Sequence, residues 1–439
     1  MLQTTLILLF SIGIIILLSA KFKINTFFVL LFVALGVGLL TQNSADLVAS
    51  IKTGFGHTLE KVGLLVILGT TLGLILEKTR ATESLSNYIL KKTGQANAEI
   101  AITLIGFTIG LPIFCDSGFI VLIGLVLNLS QKVKGKHLIY CISLATSLLA
   151  VHCLVPPHPG ITAAAGILGV DLGKAMLLNT LLAIPATLAG YFWVISFGKK
   201  IAFIEPEMVL KTSSNNHLPR AIYSVLPILI PIMLIALKSI LGVFSTDSTN
   251  HFIVIVNFIG EPVIALLIGI IICYPLAKSL KTSQINEIFE DSIEKAGPIL
   301  AIIAAGGAFG AVIQGLDLGK VYGNSIGELG LSIFAPFILA AIFKTAQGSS
   351  TVAAISTASI ILPLMASLGL KSELDKLLTL ASIGAGSMLF SHANDAYFWV
   401  ITRFSKITTK ATYSLYSTAT VIMSLTTLLF IFLVKVVFS

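Results

Sequence analysis

The amino-acid sequence predicts an all-α polytopic membrane protein made of two inverted repeats, each with a re-entrant helical hairpin and a broken transmembrane helix. Three observations predict this fold. Long apolar runs recur along a strongly apolar chain, an excess of basic residues lies in one set of loops, and the chain matches itself at a constant offset.

The composition is that of a membrane protein. Of 439 residues, 56% are hydrophobic and only 11% are charged, whereas soluble domains average about 25% charged residues. Apolar runs long enough to cross a hydrocarbon core recur throughout. Uninterrupted runs lie at 3–20, 24–40, 62–77, 176–198, 221–242, 252–274, 298–314 and 414–436, and interrupted runs near 98–130, 138–170, 331–369 and 377–401. The first run lacks a basic n-region and a clear cleavage site, so we expect it to be retained.

Basic residues predict the orientation of the chain. The formal net charge of +8 does not indicate nucleic-acid binding, because the lysines and arginines lie in loops, and cytoplasmic loops are enriched in them. The basic loops lie at 21–23, 78–92, 132–136, 199–200, 278–281 and 403–410, and the opposite loops, such as 41–61, are nearly balanced. One arrangement satisfies all of these loops. It places both termini outside and makes 98–130 and 331–369 enter and leave on one side, as re-entrant hairpins.

The chain also matches itself when it is shifted by 234 residues. Residues 59–63 then meet 293–297, and 156–160 meet 390–394, so both interrupted segments place a histidine in one column. Paired interrupted segments in two oppositely oriented halves are typical of secondary transporters with a site at the interface of the repeats.

The offset predicts the domain organisation. The predicted parts are a first repeat at 1–200 (hairpin about 98–130, broken helix about 138–170), a cytoplasmic connector at 201–220, and a second repeat at 221–439 (hairpin about 331–369, broken helix about 377–401).

The hairpin tips and helix breaks are the predicted site. Unwound backbone at membrane depth is tolerated only where it is buried or lines a wet cavity. The free N–H groups at the starts of the following half-helices favour an anion. The residues predicted to bind a substrate there are Lys344, Gln347, Gly348, Ser349, Ser350, Thr351, Ser391, His392, Asn394 and His158.

Lys344, Asp116 and Asp395 are ionisable residues inside predicted spans. A charge at the bilayer centre costs at least about 2.5–3.5 kcal/mol on insertion scales, so a functional role is the default hypothesis. The alternative is a structural ion pair between Lys344 and Asp116 across the two tips. Asp116 is the first candidate for proton coupling, and Asp395 or His392 is the second.

His158 and His392 have two interpretations. Histidine titrates near neutral pH and could relay protons, or each ring could satisfy backbone carbonyls freed at a helix break. The prolines around His158 favour a structural role there, because they remove donors and kink the helix. His392 is therefore the stronger functional candidate.

Four stretches resemble the gluconate permease family of proton-coupled sugar-acid symporters, which belongs to a broader ion-transporter group. They are GLPIFCDSGF (110–119), HCLVPPHPG (152–160), KTAQGSSTVA (344–353) and GAGSMLFSHANDAYFW (384–399). The hydrophobic segmentation agrees over nearly the whole chain. The sequence departs from the family at Cys115 and Ser117, where bulkier apolar residues are usual, and at Lys344, where arginine is more familiar.

The resemblance implies a transporter in the bacterial cytoplasmic (inner) membrane that imports a small hydroxylated monocarboxylate, such as a sugar acid or a glycerate-like acid, with protons. Lys344 and the N–H groups of 348–351 would hold the carboxylate, and Asp116 would carry the proton. Hydroxyl groups would be bound by Ser391, His392, Asn394 and His158. The expected partners are the carboxylate, protons and the lipid bilayer, without nucleic acid, cofactor or metal, and a homodimer is left open.

Three alternatives remain. A sodium-coupled symporter of the same fold would use the oxygens of Ser349, Ser350 and Thr351. An intramembrane metalloenzyme would use His158, His392 and Asp395, although their spacing matches no metalloprotease signature such as HExxH. A passive anion channel would show flux without accumulation.

Overall fold

The structure is a computed structural model that describes residues 2–41, 44–94, 97–133, 135–201, 218–244, 251–278, 280–315 and 332–438. Most of the predicted connector at 201–220 lies outside the described residues. Over the described ranges the chain is all-helical, without a strand. Six helices are long and apolar enough to cross a membrane, or seven if one bent pair counts as a span. The predicted all-α polytopic class is confirmed.

The helix bounds define the elements used below. Up to residue 201 they are α1 (Leu2–Ile16), α2 (Thr26–Thr41), α3 (Ser44–Lys78), α4 (Ala81–Thr93), α5 (Ala98–Gly110), α6 (Cys115–Lys132), α7 (His137–Leu154), α8 (Pro159–Leu168) and α9 (Leu172–Gly198). From residue 218 they are α10 (Ala221–Phe244), α11 (His251–Ile259), α12 (Pro262–Ile272), α13 (Tyr274–Ala277), α14 (Thr282–Gln314), α15 (Phe334–Gln347), α16 (Ser350–Ile361), α17 (Glu373–Ser387), α18 (Ala396–Ser405), α19 (Thr409–Thr412) and α20 (Thr418–Phe438).

Both predicted hairpins consist of two short apolar helices joined by a tight break. The first hairpin is α5 and α6, and the second is α15 and α16. Gly348 turns the second tip with a φ of 85°, a left-handed conformation that favours glycine at a helix C-terminus. A hairpin of two helices is found at both predicted places. That each hairpin enters and leaves on one side of the membrane stays a prediction.

Both predicted broken helices are also present. The first is α7 and α8, interrupted at 155–158, and the second is α17 and α18, interrupted at 388–395. Pro159 is the first residue of α8, a position where its missing N–H breaks no helical hydrogen bond. A capping box of Ser372 and Asp375 starts α17. The run from His137 to Leu168 is almost wholly buried, so the first broken helix lies at the centre of the protein.

Two sequence-based expectations are wrong. The expected loop at 41–61 is helical from Ser44 onward, because this segment continues into α3 and packs against α14. The expected single span at 252–274 is bent by 70° between α11 and α12. Pro262 starts the second of these helices, since proline favours the first helical position.

Helices that lie 234 residues apart contact one another. The equivalent pairs α3 and α14, α7 and α17, and α9 and α20 all pack together. Contacts between the halves are reciprocal as well, because α16 packs on α8 and α6 packs on α18. The Sγ atom of Cys153 lies 3.9 Å from the carbonyl oxygen of Ser387, its counterpart in the other half. This packing is what a two-fold relation between the halves would produce, and their opposite orientation stays a prediction.

Candidate functional site

A polar cavity of about 430 Å³ lies where the two hairpin tips meet the two broken helices. Its walls come from the starts of α6, α8, α16 and α18, the second half of α7, and the middle of α14. The lining residues are Phe114, Cys115, Asp116, Ser117, Leu149, His152, Pro159, Lys295, Ile299, Gln347, Ser349, Ser350, Thr351, Asn394, Asp395, Ala396 and Tyr397. This volume is within the usual range of small-molecule sites, about 300–1,000 Å³.

Four helices begin at the cavity. Ser349 caps α16 by accepting a hydrogen bond from the N–H of Val352 at 3.3 Å, and Asp395 caps α18 by accepting one from the N–H of Tyr397 at 3.0 Å. The structure shows no side-chain cap hydrogen bond at the starts of α6 and α8. Because the first N–H groups of a helix have no partner within it, these two starts offer donors and positive dipole ends to an anion.

Glycines allow the tips and breaks to touch through their backbones. A Cβ atom on Gly348 would lie 2.2 Å from the carbonyl oxygen of Asn394. A Cβ atom on Gly160 would lie 2.7 Å from the Cα atom of Thr351. The second hairpin tip therefore fits against both breaks only because glycine occupies these two positions.

Lys344 is buried behind the second tip and does not line the cavity. Its Nζ atom donates to the carboxylate of Asp395 at 2.7 Å and to the carbonyl oxygen of Gly348 at 2.6 Å. The suggested ion pair with Asp116 is therefore wrong, because Asp395 is the partner. The predicted role of Lys344 as the carboxylate anchor is also not supported by this geometry, since its charge is already neutralised.

The second break is tied together behind Asp395. The hydroxyl of Ser391 donates to the Asp395 carboxylate, and the hydroxyl of Ser417 donates to the carbonyl oxygen of Ser391 at 2.5 Å. Ser391 is fully buried. Its predicted contact with a substrate hydroxyl is replaced by this internal hydrogen bond.

His158 and His392 make equivalent hydrogen bonds in the two halves. The Nε2 atom of His158 lies 2.6 Å from the carbonyl oxygen of Gly110 at the end of α5, and that of His392 lies 2.9 Å from the carbonyl oxygen of Thr345 near the end of α15. The Nδ2 atom of Asn394 donates to the same Thr345 carbonyl at 2.7 Å. Helix ends leave carbonyls without partners, so each histidine joins a break to the end of a hairpin helix. Neither ring lines the cavity, so the predicted contacts of His158 and His392 with a substrate are not supported by this geometry.

Asp116 faces the cavity from the first turn of α6. Among the described residues no lysine, arginine or histidine lies within salt-bridge distance of it. The one lysine or arginine in the described lining is Lys295 of α14, whose side chain is exposed. Besides Asp395, which is paired with Lys344, the described lining thus contains the carboxylate of Asp116 and the ammonium of Lys295, which are not paired with each other.

The structure divides the predicted site residues into two groups. Those that line the cavity are Asp116, Gln347, Ser349, Ser350, Thr351, Asn394 and Asp395. Those that support it from behind are Lys344, Gly348, Ser391, His392 and His158.

Two of the lining residues that the sequence reasoning missed have basic side chains, His152 and Lys295. His152 lies in the last turn of α7, and its Nδ1 atom is buried without a hydrogen-bond partner in the described structure. The position of His152 just before the 155–158 break could have predicted it, because a residue in the last turn before a break faces the same cavity as the break. Lys295 gave no such signal, because α14 contains no break near it.

A protein-family model described as GntP family permease matches residues 3–437. The chain belongs to the GntP permease family. Three similar proteins carry functional names. The high-affinity gluconate transporter of Escherichia coli K12 is 33% identical over 407 residues (91% of this chain, 92% of that protein). The gluconate permease of Pseudomonas aeruginosa is 30% identical over 441 residues (97% and 96%), and the D-serine transporter DsdX of E. coli K12 is 29% identical over 437 residues (98% and 97%).

Two solved structures share the fold of this GntP permease family member. The Alcanivorax borkumensis YdaH transporter superimposes with a TM-score of 0.64 at 14% identity, covering 97% of this chain and 99% of that one. Neisseria gonorrhoeae MtrF gives a TM-score of 0.61 at 14% identity, covering 88% and 84%. The protein is therefore a multi-pass transporter of the bacterial inner membrane and not an enzyme.

Proposed function

We propose that this GntP permease family member imports a small hydroxylated monocarboxylate, a sugar acid or a shorter glycerate-like acid, together with a proton. The observation that carries the proposal is Asp116, a carboxylate that faces the cavity at the start of α6 and has no described cation within salt-bridge distance. Gluconate and D-serine, named for the relatives above, both combine a carboxylate with at least one hydroxyl group.

The substrate carboxylate would bind at the positive end of the cavity. The starts of α6 and α8 have no side-chain cap hydrogen bond, and free N–H groups at helix starts bind anions. Hydroxyl groups of the substrate would be bound across the cavity by Ser350, Thr351, Gln347 and Asn394, which line the second tip and break. A buried amide that is unpartnered, as in Gln347, gains most from a polar ligand.

Asp116 would carry the proton. A negatively charged carboxylate and an anionic substrate repel each other in one cavity, so protonation of Asp116 favours binding of the substrate. Asp395, the second candidate, is less suited because Lys344 and two other donors already bind its carboxylate. Alternating access would come from movement of the hairpins and broken helices against the other helices.

Uptake into proteoliposomes tests the transport mode and separates the alternatives. An inward pH gradient without sodium should drive accumulation of at least one acid from a panel of C3 to C6 hydroxy acids. Accumulation that needs an inward sodium gradient would instead support the sodium-coupled symporter. Flux that never exceeds equilibrium would support the anion channel.

The variant Asp116→Asn should lose accumulation driven by the pH gradient but keep counterflow exchange, because the amide cannot release a proton while the binding cavity keeps its shape. Asp46→Asn is the matched control, since Asp46 is exposed at the start of α3 away from the cavity, and it should accumulate substrate like the wild type. Normal proton-driven accumulation by Asp116→Asn would remove Asp116 from the coupling role.

A further inference from the structure

We propose that Lys295 receives the carboxylate of the transported acid and gives the site its preference for anions. The inference rests on the proposed function and adds a residue on α14, outside the hairpins and breaks. Lys344, the other lysine close to the site, would act only as the partner of Asp395.

The distribution of charge around the cavity leaves this role to Lys295. Lys344 is 1% exposed, and its ammonium is bound by Asp395 and by the Gly348 carbonyl. Lys295 lines the cavity and forms no ion pair or hydrogen bond with the described residues. An incoming carboxylate therefore meets one available ammonium in the described lining.

Lys295 also lies beside the uncapped start of α6. Lys295, Phe114 and Ser117 line the main cavity together, and the same three residues line a smaller space next to it. At this wall the Lys295 ammonium would donate a charge-assisted hydrogen bond to a carboxylate. The start of α6 would attract the same carboxylate through the positive end of the helix dipole.

One acidic residue competes for Lys295. Glu77, in the last turn of α3, lines the smaller space and interacts electrostatically with Lys295, but the two are not within salt-bridge distance. Asp116 is likewise not paired with it. The ammonium of Lys295 therefore has Glu77 nearby without a salt bridge to it, and it remains free to contact a ligand.

The pseudo-symmetric counterpart of Lys295 has a different environment. Lys61 occupies the equivalent position on α3, and its Nζ atom donates to the carbonyl oxygen of Gly166 at 3.3 Å. Lys61 does not line the cavity. The two-fold relation therefore supplies a control lysine on an equivalent helix.

The test compares an acid with its neutral amide. Calorimetric titration of the purified protein with glycerate and glyceramide, and with gluconate and gluconamide, should show that the wild type prefers an acid. In Lys295→Gln the affinity for that acid should fall by at least about tenfold, the size of a lost charge-assisted hydrogen bond, with little change for the amide. Lys295→Arg should restore the preference, and Lys61→Gln should keep it.

Failure of the Lys295 role and failure of the proposed function are distinguishable. A wild-type preference for the acid that persists unchanged in Lys295→Gln would overturn the role of Lys295 and leave the proposed function standing. A wild type that neither binds nor accumulates any acid of the panel would overturn the proposed function and this inference with it. A loss of acid binding that Lys295→Arg does not restore would also count against Lys295, because it would indicate a structural role for the side chain rather than a charge.

Discussion

Lys344 and Asp395 form the most completely buried ion pair in the described chain, with 1% and 8% of their side chains exposed. The pair joins the end of α15 to the start of α18, and the Gly348 carbonyl and the Ser391 hydroxyl add further hydrogen bonds. Burial removes hydration from both charges, so each depends on the other. Lys344, which the sequence predicted to bind the substrate carboxylate, therefore supports the second tip instead.

The first stability prediction concerns this pair. Lys344→Met should lower the free energy of unfolding by about 3–5 kcal/mol, because it leaves the Asp395 carboxylate buried without its cation. Thermal or denaturant unfolding in detergent measures the change. Adding Asp395→Asn to Lys344→Met should recover much of the loss, since the double variant buries no unpaired charge.

The exposed pair of Lys174 and Glu373 provides the control. Its side chains are 39% and 71% exposed, and surface pairs contribute about 0–1 kcal/mol. Lys174→Met should therefore change stability little. Equal losses for Lys344→Met and Lys174→Met would contradict the supporting role of the buried pair.

Hairpin tips and helix breaks behave as one interlocked set of elements. His158 and His392 bind carbonyls near the ends of α5 and α15, and Gly160 and Gly348 allow backbone contact between tip and break. Each break is therefore held by the hairpin helix before it, and the second tip touches both breaks. The shape of the cavity depends on these contacts between elements as much as on its lining side chains.

Gly348→Ala tests the interlock. The new methyl group would lie 2.2 Å from the Asn394 carbonyl oxygen in a backbone with a φ of 85°, so it should push the second tip away from the break and strongly reduce uptake. Gly369→Ala is the control, because Gly369 has a φ of 73° but nothing within 4 Å of an added Cβ. Its free energy of unfolding should fall only by the cost of a left-handed backbone for alanine, about 1–2 kcal/mol, and it should keep uptake. Similar uptake by the two variants would show that the close approach is unimportant.

Ion pairs join helix ends that the distribution of basic loops predicts on the same side of the membrane. Lys78 pairs with Asp291, and Lys136 pairs with Glu99, all near loops expected in the cytoplasm. At the opposite end, Lys174 pairs with Glu373 and Lys435 pairs with Asp375. These pairs bring together loops that the sequence predicts on one side, whereas the sidedness itself and the opposite entry of the two hairpins stay predictions.

Cysteine labelling tests that topology directly. Lys92 and Lys371 are both exposed, and the four native cysteines are free and buried. A membrane-impermeant maleimide applied to intact cells should label Lys371→Cys and should reach Lys92→Cys only after the inner membrane is opened. Labelling of both variants from the same side would contradict the inverted arrangement.

Local signals were sufficient for the first break and both tips. Proline and glycine inside apolar runs located them, because these residues end helices through purely local effects. The second break contains neither residue, and its polar residues at 391–395 and the 234-residue offset located it. The helical segment 44–61 was missed because its polar residues, such as Lys52 and Glu60, resemble a loop, whereas packing against α14 keeps it helical. The residues of the second tip that line the cavity were also predicted from local sequence.

The charged partners could not be predicted. Asp395 lies 51 residues after Lys344, and its pairing depends on how the second break folds back on the second tip. Lys295 reaches the cavity only because α14 packs beside α3 and the first tip. Such contacts arise from the tertiary arrangement, and no pattern within one helix contains them.

The pairing of Asp395 with Lys344 also bears on the energetics of transport. It leaves Asp116 as the one carboxylate of the described lining without an ammonium partner, so in the proposed proton symport one carboxylate would carry one proton per cycle. One proton and one monoanion together have no net charge. The membrane voltage, which does about 2.3 kcal/mol of work per charge for each 100 mV, would then contribute nothing to accumulation. The attainable concentration ratio would be set by acidity alone, at about tenfold for each unit of pH difference.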